Sequence, residues 1–253
     1  MTSSGGWTSS SDNGNLSTEL SALAKSPRLL LMLDFDGTIS PIVPTPEEAE
    51  IDKEIENILT DLEKLPSTEI WIVSGRSLED LKNKVHFKNL IGSHGIECPF
   101  SAEEKIDCDD ISKLKNDIEC LLKNYRGIQI EQKVYSVSIH YRNADAGDEE
   151  SIRDIVKKNS GNFAITEGKK VIELRAKGKN KGDACQMLID HAGCEASIYV
   201  GDDITDEDAF RALKEKSVTI KIGSGETDAT YRLKCIDDLR LILKKLLEER
   251  SLL

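Results

Sequence analysis

Two aspartates two positions apart follow an apolar run near the start of the sequence. Asp34 and Asp36 come directly after Leu29–Leu33. Carboxylates held this close in a partly dry crevice raise each other's pKa, and a divalent cation with oxygen ligands, such as Mg²⁺, removes that penalty. Beside such a cation, Asp34 could attack the phosphorus of a bound phosphate, and Asp36 could give a proton to the leaving oxygen. The alternative is a strand-end turn with solvated aspartates.

Three other residues could hold the phosphate itself. Thr38 supplies a hydroxyl just after the aspartates, and Ser74 offers a hydroxyl and a backbone N–H near a predicted helix start, where phosphates bind readily. Lys181 opens a later predicted helix, where a cation is locally unfavourable unless it reaches an anion. Taken singly, Ser74 could be only a helix cap and Lys181 only a solvated lysine.

A second group of acidic residues follows another apolar run. Asp202 and Asp203 come at the end of a predicted strand, and Asp206 falls in the first turn of the helix that follows. Helix capping explains Asp206 well, but it does not explain two aspartates at the end of a buried strand. A magnesium site that needs a further carboxylate does explain them.

The positions of these candidate residues depend on short apolar strands that precede them. The runs Leu29–Leu33, Ile70–Val73 and Ser197–Val200 are typical of strands that a parallel sheet buries on both faces. Apolar residues at helical spacing follow the first run, over 51–65. The predicted fold class is therefore α/β, with a Rossmann-like, three-layer core built on a parallel sheet.

The strand ends are expected to meet at one edge of that sheet. Ligands of such sheets bind beyond the carboxyl ends of the strands. Asp34, Ser74 and Asp202 each come just after a predicted core strand, so we expect them in one crevice.

The middle of the sequence has a different pattern. Residues 128–141 alternate between apolar and polar side chains, as in a half-buried strand of an antiparallel sheet, and helices are predicted over 111–125 and 148–158. This section reads as an α+β cap domain inserted into the core. The Ser/Gly-rich start reads as a disordered tail. The predicted organisation is a tail at 1–25, a core at 26–95 plus 177–253, and a cap at 96–176.

Composition and charge exclude several classes of partner. The formal net charge of −12 argues against a nucleic-acid binder and means that an anionic substrate needs local cations. No apolar run approaches the roughly 20 residues that span a bilayer, and no secretory signal is recognisable. The six cysteines form no C-x-x-C pair. We therefore expect a cytoplasmic monomer that acts on a small molecule, with no nucleic-acid or membrane partner.

The motifs together resemble those of the haloacid-dehalogenase-type phosphatases, in the branch with an α+β cap between the second and third motifs. More narrowly, the sequence is similar to the trehalose-6-phosphate phosphatases. The matching segments are LDFDGT at 33–38, VSGR at 73–76, GSHG at 92–95, SIHYR at 138–142, VIELR at 171–175, NKG at 180–182 and GDDITDEDAF at 201–210.

The resemblance implies a phosphoric monoester hydrolase that uses Mg²⁺ and forms an aspartyl-phosphate intermediate on the way from trehalose 6-phosphate to trehalose. It implies Asp34 as nucleophile, Asp36 as acid and base, and Lys181 as a third catalytic residue. The implied ligands are Asp34, the carbonyl of Asp36, Asp202 and Asp203 for the metal, and Thr38, Ser74 and Lys181 for the phosphate, with Arg76 and Asp206 in support.

The resemblance also implies which side chains of the inserted section recognise the sugar. A disaccharide offers many hydroxyl groups, and charged side chains make strong, directional hydrogen bonds to them. The alternative for each such residue is a solvated strand face. The implied sugar ligands are Glu131, Lys133, His140, Arg142, Lys169 and Glu173.

Three other functions stay open from the sequence. The substrate could be another glycosyl phosphate, of the sucrose 6-phosphate or mannosyl-3-phosphoglycerate type, and only the inserted section would discriminate. The chain could be a non-catalytic sugar-phosphate sensor, although the intact set of Asp34, Asp36, Lys181 and Asp202 argues against that. It could also pass phosphate to a sugar instead of to water, as a phosphotransferase or mutase does.

Overall fold

The structure is a computed structural model that describes residues 11–101, 108–145, 147–168, 170–178 and 180–253. Lys169, one of the predicted sugar ligands, lies outside these residues. The chain divides into two compact units, Met1–Phe100 with Asn180–Leu253, and Ser101–Lys179. The sequence prediction placed both boundaries a few residues earlier, at 96 and 176.

The described chain alternates between strands and helices in the first unit and groups its strands in the second. The helices are α1 Ser11–Ala24, α2 Lys53–Glu63, α3 Leu78–Lys84, α4 Cys108–Leu122, α5 Glu149–Lys158, α6 Lys181–Ala192, α7 Glu207–Leu213 and α8 Ile236–Arg250. The strands are β1 Leu29–Leu33, β2 Thr68–Val73, β3 Leu90–Ile91, β4 Gln129–Gln132, β5 Ser136–His140, β6 Ala164–Gly168, β7 Val171–Arg175, β8 Ala196–Gly201, β9 Val218–Ile222 and β10 Tyr231–Leu233.

The first unit is built on a parallel sheet, as the sequence predicts. Within the described residues the strand order is β10-β9-β8-β1-β2-β3, and every pairing is parallel. All residues of β1 and β8 are buried, in keeping with their continuous apolar sequences. Since β1 lies between β2 and β8, the ends of these three strands are neighbours.

Apolar side chains cover both faces of this sheet. Alternate residues of β1 point to opposite faces, so Leu31 and Leu33 pack in a cluster with α2 and α8, whereas Leu30 and Met32 pack with α6 and α7. This is the three-layer α/β arrangement that was predicted, and the fold class is confirmed.

The predicted disorder of residues 1–25 is wrong for the part of this segment that the structure describes. Ser11–Ala24 is a helix, and Leu16, Leu20 and Ala24 are buried in the core cluster shared with α8. The polar composition suggested disorder, but these apolar residues recur at four-residue spacing on one helix face. Their burial against α8 supplies the stabilisation that a short helix lacks by itself.

A buried arginine at the end of α8 holds the end of α1 and the start of β2 against α8. The Arg250 side chain is largely hidden from solvent, and no carboxylate pairs with it among the described residues. Its guanidinium donates instead to oxygen atoms at the end of α1, in the loop after α1, on the turn before β2 and on β2 itself. The acceptors are the carbonyls of Ala24 (2.9 Å), Ser26 (2.9 Å), Pro66 (3.1 Å) and Ser67 (3.0 Å) and the hydroxyl of Thr68 (2.6 Å).

We expect Arg250→Met to destabilise the protein strongly. Two buried acceptors, the carbonyl of Ala24 and the hydroxyl of Thr68, would lose their donor together with three partly buried carbonyls. The cost is roughly 1–3 kcal/mol for each buried group left without a partner, so a loss of about 3 kcal/mol or more follows. Thermal unfolding would show this as a Tm lower by about 10 °C. Arg28→Met is the matched control, because within the described residues Arg28 makes only an exposed ion pair, with Glu69, so this variant should change stability by less than about 1 kcal/mol. Equal losses in the two variants would contradict the fastening role.

The second unit contains an antiparallel sheet in the order β4-β5-β7-β6. One face buries Val137, Ile139 and Leu174 in a cluster that includes residues of α4 and α5. The continuous strand predicted over 128–141 is instead a hairpin, because the chain turns back between β4 and β5, where the Lys133 N–H donates to the Ser136 carbonyl (2.8 Å). No described helix in either unit has both the length and the apolar character needed to cross a membrane.

Candidate active site

The site lies at the carboxyl ends of three neighbouring parallel strands. Asp34 follows β1, Ser74 follows β2 and Asp202 follows β8. The Asp34 N–H donates to the Val200 carbonyl (2.9 Å), which ties the end of β1 to the end of β8. The sheet therefore sets these residues on adjacent strand ends, as the sequence predicts.

A glycine allows the loop after β1 to approach the loop after β8. Gly37 has φ +77°, a conformation that side chains other than glycine's rarely adopt. A Cβ atom at this position would lie 2.1 Å from Oδ2 of Asp202. The close contact of these two loops therefore requires glycine.

A buried lysine bridges two aspartates at the centre of the site. Nζ of Lys181 donates to Oδ1 of Asp34 (2.8 Å) and to Oδ1 of Asp206 (2.7 Å), and all three side chains are at least 94% buried. Burial would lower the pKa of Lys181, but Asp206 and Asp34 outweigh that effect and raise it, so the lysine carries a positive charge. Sequence alone left open a solvated lysine here, and the burial excludes it.

The start of α6 holds Lys181 in place. Asn180 caps the helix, accepting from the Asp183 N–H (3.0 Å), while Asp183 accepts from the Asn180 N–H (3.1 Å). This reciprocal cap satisfies backbone donors at the helix start. The lysine side chain is then directed by its carboxylate partners.

Asp206 organises the loop after β8. Its Oδ1 accepts from Lys181 and from the hydroxyl of Tyr199 (2.7 Å), and its Oδ2 accepts from the N–H groups of Asp202 and Asp203 (2.9 Å each). Although burial acts in the opposite direction, Lys181 and these hydrogen bonds hold the pKa of Asp206 below its usual value. Asp206 is thus an ionised positioning residue whose two oxygens both have protein donors.

Three carboxylates approach one another closely enough to share a cation. One oxygen from each of Asp34, Asp202 and Asp206 lies within 4.8 Å of the others. Burial raises the pKa of Asp34 well above its usual value, and burial, followed by Asp206 and Asp203, raises the pKa of Asp202 to about 7. One ammonium group faces three carboxylates, so the positive charge in the cluster is too small to balance the carboxylates.

The donor set fits a hard divalent cation such as Mg²⁺. Oδ1 of Asp202 is buried and has no hydrogen-bond partner among the described residues. An oxygen in that state, in a group of carboxylates short of positive charge, is what a Mg²⁺ ligand requires. Since Asp206 is fully engaged, the carboxylates that fit the cation are those of Asp34 and Asp202.

Asp203 and Asp36 use their carboxylates elsewhere in the structure. Asp203 is exposed and forms a capping box with Asp206 at the start of the next helix. The Asp36 carboxylate accepts from Nε and Nη2 of Arg76, both at 2.7 Å. Neither carboxylate belongs to the three that approach one another among the described residues. A metal contact by Asp36 would therefore come from its carbonyl, the atom that the family resemblance implies.

Arg76 links the loops that follow β1 and β2. Besides Asp36 it donates to Oδ2 of Asp80 (2.6 Å) and to the carbonyl of Pro46 (2.9 Å). Its side chain is 10% exposed, and its guanidinium lies 5.3 Å from the centre of the Phe35 ring. The arginine thus has four partners in this region and fixes the place of Asp36.

Two buried hydroxyl groups lie in the loops that follow β1 and β2. Oγ1 of Thr38 has no hydrogen-bond partner within the described parts of the chain, and Oγ of Ser74 accepts from the Arg76 N–H (3.2 Å). A buried hydroxyl without a partner is costly, and an anion oxygen would satisfy it. Thr38 and Ser74 are suited to hold a phosphate group, as the sequence predicts.

In the second unit, predicted sugar ligands meet on the polar face of the antiparallel sheet. Glu173 pairs with Lys133 (3.3 Å) and accepts from the Ser136 hydroxyl (2.6 Å), and His140 contacts Glu131 (3.3 Å). Arg142 is exposed just after β5. Register explains the grouping, since Ser138 of β5 lies opposite both Glu131 of β4 and Glu173 of β7.

Sequence reasoning missed two functional candidates, Tyr199 and Lys221. Both lie on strands that are buried throughout, β8 and β9. A hydroxyl group or a charge in such a buried strand needs a partner. This requirement is the feature of the sequence from which both residues could have been identified. The partner of Tyr199 is Asp206.

The fold is the one found in solved structures of haloacid-dehalogenase-like hydrolases. A parallel core presents an Asp-x-Asp loop, a serine, a helix-start lysine and an acidic loop at adjacent strand ends, and solved structures of that class share the fold. A haloacid dehalogenase-like hydrolase from B. subtilis superposes with a TM-score of 0.60 at 14% identity, covering 85% of this chain and 98% of that chain. More narrowly, a family model described as trehalose-phosphatase matches residues 32–237, and the chain belongs to that family.

Individual relatives agree with this assignment. Trehalose-phosphate phosphatase B of Arabidopsis thaliana is 30% identical over 92% of this chain and 70% of its own length. A bifunctional trehalose-6-phosphate synthase/phosphatase of Thermoproteus tenax is 33% identical over 89% of this chain, which spans only 33% of that protein. The C-terminal domain of trehalose-6-phosphate phosphatase from C. albicans superposes with a TM-score of 0.77 at 26% identity, covering 94% of this chain and 98% of that chain. The predicted family resemblance is confirmed.

Proposed function

We propose that the chain hydrolyses trehalose 6-phosphate to trehalose and phosphate, with Mg²⁺ as cofactor and an aspartyl-phosphate on Asp34 as intermediate. One observation carries the proposal: Lys181, buried between Asp34 and Asp206, lies beside a buried carboxylate oxygen of Asp202 that has no hydrogen-bond partner in the described part of the chain. This arrangement suits a nucleophile, a phosphate and a cation together. Membership of the trehalose-phosphatase family supports the choice of substrate.

In the first step Asp34 attacks phosphorus and the bond from phosphorus to the sugar oxygen breaks. Mg²⁺, held by Asp34 and Asp202 and by the carbonyl of Asp36, would neutralise charge on the phosphate and keep Asp34 ionised despite its burial. Lys181 donates to Asp34, and with Thr38 and Ser74 it would bind phosphate oxygens. Asp206 keeps Lys181 charged and in place.

Asp36 serves both steps as acid and base. It gives a proton to the leaving sugar oxygen in the first step and takes one from the water that hydrolyses the aspartyl-phosphate in the second. Both of its oxygens accept from Arg76 in this structure, so one of these hydrogen bonds must open when Asp36 transfers a proton. Arg76 thereby acts as the positioning residue of the acid.

The polar face of the second unit is proposed to recognise the sugar. Glu131, Lys133, His140 and Glu173 present charged groups there, and Arg142 follows β5. Their existing pairs are partly exposed, so sugar hydroxyls can exchange with them at low cost. Lys169 is proposed on the family resemblance alone.

Phosphate release from a panel of sugar phosphates tests this function. We expect trehalose 6-phosphate to exceed glucose 6-phosphate and sucrose 6-phosphate in kcat/KM by at least about 100-fold, because the lost sugar contacts leave polar groups unpaired. Chelation by EDTA should lower the rate by at least about 10³-fold, and added Mg²⁺ should restore it, because the cation stabilises the transition state by several kcal/mol.

The other outcomes discriminate among the alternatives. A flat profile would remove the trehalose assignment while leaving a sugar phosphatase, and a maximum at another glycosyl phosphate would name that substrate. No release from any sugar phosphate would favour a sensor. Transfer of phosphate to an added sugar, detected by product analysis, would indicate a phosphotransferase or mutase.

A further inference from the structure

A second buried lysine lies beside the acidic loop. Lys221 belongs to β9, whose residues are all buried, and its side chain is only 6% exposed. In the parallel pairing of β8 with β9 it lies opposite Gly201, the residue directly before Asp202. An ammonium group in such a strand needs partners that compensate for its loss of hydration.

Within the described residues, the partners of the Lys221 side chain are one carbonyl of the loop after β8 and one carboxylate. Its Nζ donates to the carbonyl of Asp203 (3.2 Å) and lies 3.5 Å from Oε1 of Glu207, close enough for an ion pair although not a hydrogen bond. Oε2 of Glu207 accepts from the Asp228 N–H (2.9 Å) and the Thr227 hydroxyl (3.3 Å). The lysine is thus both neutralised and fixed.

The turn that carries Asp202 and Asp203 is held from two sides. Asp206 accepts from the N–H groups of Asp202 and Asp203, and Lys221 donates to the carbonyl of Asp203. These contacts restrain successive peptide groups directly beside the carboxylate of Asp202. A change at either contact would let that carboxylate move.

We propose that Lys221 is a positioning residue, which fixes the Asp202–Asp203 turn so that the Asp202 carboxylate is presented to the divalent cation. The pair with Glu207 is essential to this role. A lone positive charge so close would repel a cation, whereas the neutral pair acts through geometry. The inference rests on the proposed Mg²⁺-dependent function and adds a residue to it that touches neither substrate nor metal.

The double variant Lys221→Met with Glu207→Gln tests the proposal. It removes one positive and one negative charge together, so the net charge near the cation is unchanged and the hydrogen bond to Asp203 is what disappears. Loss of such an outer contact typically weakens metal binding by roughly 10–100-fold. We expect the Mg²⁺ concentration for half-maximal activity to rise about tenfold or more, while KM for the sugar phosphate and kcat at saturating Mg²⁺ change less than about threefold.

A second readout needs no substrate. Mg²⁺ that binds only the folded protein raises Tm as its concentration increases. The rise follows ln(1 + [Mg²⁺]/Kd), so Tm measured against Mg²⁺ concentration gives a fitted Kd, which should increase in the double variant by the same factor. Lys216→Met is the matched control, since among the described residues the side chain of this exposed lysine contacts only Gln186, and it should leave the half-maximal concentration and the fitted Kd unchanged.

The outcomes separate the inference from the proposed function. A wild-type protein without Mg²⁺-dependent phosphate release would overturn the proposed function itself. A Mg²⁺-dependent wild type, with a double variant whose half-maximal Mg²⁺ concentration and fitted Kd are both unchanged, would overturn the role of Lys221. Partial unfolding would by itself raise the apparent Kd by the inverse of the folded fraction, so both readouts are taken at temperatures below the unfolding transition of the metal-free variant. A rise that disappears under those conditions counts against the proposal. Should it yield no folded protein, Lys221→Met with Glu207→Leu replaces it, because apolar replacement of a buried ion pair is often neutral or stabilising.

Discussion

Replacing Asp34 by asparagine should abolish phosphate release, with a loss of kcat on the order of 10⁵-fold, as for other enzymes that lose a nucleophile. The amide has nearly the shape of the carboxylate but cannot form the acyl-phosphate bond. Its oxygen can still accept from Lys181, the present donor to Asp34 at 2.8 Å. Initial rates with trehalose 6-phosphate and saturating Mg²⁺ measure the effect.

The variant should remain folded, which makes its loss of activity interpretable. Burial raises the pKa of Asp34, so the ionised carboxylate costs free energy in the folded state at neutral pH, and a neutral amide avoids this cost. We therefore expect the Tm of Asp34→Asn to be at most a few degrees lower than that of the wild type.

A matched control and a chemical trap complete this test. Asp190→Asn makes the same change at an exposed position of α6 and should keep activity within about twofold. Acid quenching of the wild type during turnover should yield a phosphorylated peptide that contains Asp34, and this peptide should be missing from Asp34→Asn. Turnover of the variant above about 1% of the wild-type rate, after intact mass has excluded deamidation, would refute the nucleophile assignment.

The sequence predicts the core of the site because strands and helices place residues at their ends. Leu29–Leu33 and Ser197–Val200 are continuous apolar runs, and residues just after such strands in a parallel sheet share one edge. Asp34, Ser74 and Asp202 therefore could be assigned to one crevice without any tertiary information. The structure adds the close contact at Gly37 that brings two of these loops together.

Contacts between distant segments are what the sequence could not reveal. The spacing of residues in the sequence does not indicate that Arg76 binds Asp36. It also does not indicate that the carboxylate of Asp206 accepts hydrogen bonds from Lys181, Tyr199 and two backbone N–H groups. Such networks depend on how helices and strands pack, which local periodicity does not determine. Capping alone was a sufficient local explanation for Asp206, and the structure shows a larger role.

The error at the N-terminus has the same physical origin. Ser11–Ala24 has the composition of a flexible segment, and its propensity gives little reason for a helix. Its order comes from α8, where Lys245 donates to the Ser17 carbonyl (3.1 Å) and Ser21 donates to Glu249 (2.8 Å). Tertiary contacts therefore override local composition here.

Replacing Asp36 by asparagine should lower turnover of trehalose 6-phosphate by about 10³-fold, within the roughly 10²–10⁴-fold range that acid and base groups contribute. The sugar oxygen is a poor leaving group without a proton. The phenolate of p-nitrophenyl phosphate leaves without one, so its first step should be much less affected. Hydrolysis of the aspartyl-phosphate still needs the base, so we expect a rapid burst of p-nitrophenolate, close to one per enzyme, followed by slow turnover.

The variant Asp80→Asn distinguishes proton transfer by Asp36 from its structural pairing with Arg76. Asp80 is the other carboxylate bound to Arg76, at 2.6 Å, and its loss disturbs the arginine while leaving the acid in place. We expect activity within about tenfold of the wild type and no burst, because proton transfer is intact and only the position of the acid is loosened. If Asp36→Asn lost the same activity on both substrates, and Asp80→Asn showed the same losses, Asp36 would instead have a structural role, in which it holds the loops after β1 and β2 together. The contrast between the two leaving groups thus tests the chemistry, and the contrast between the two aspartates tests the architecture that positions it.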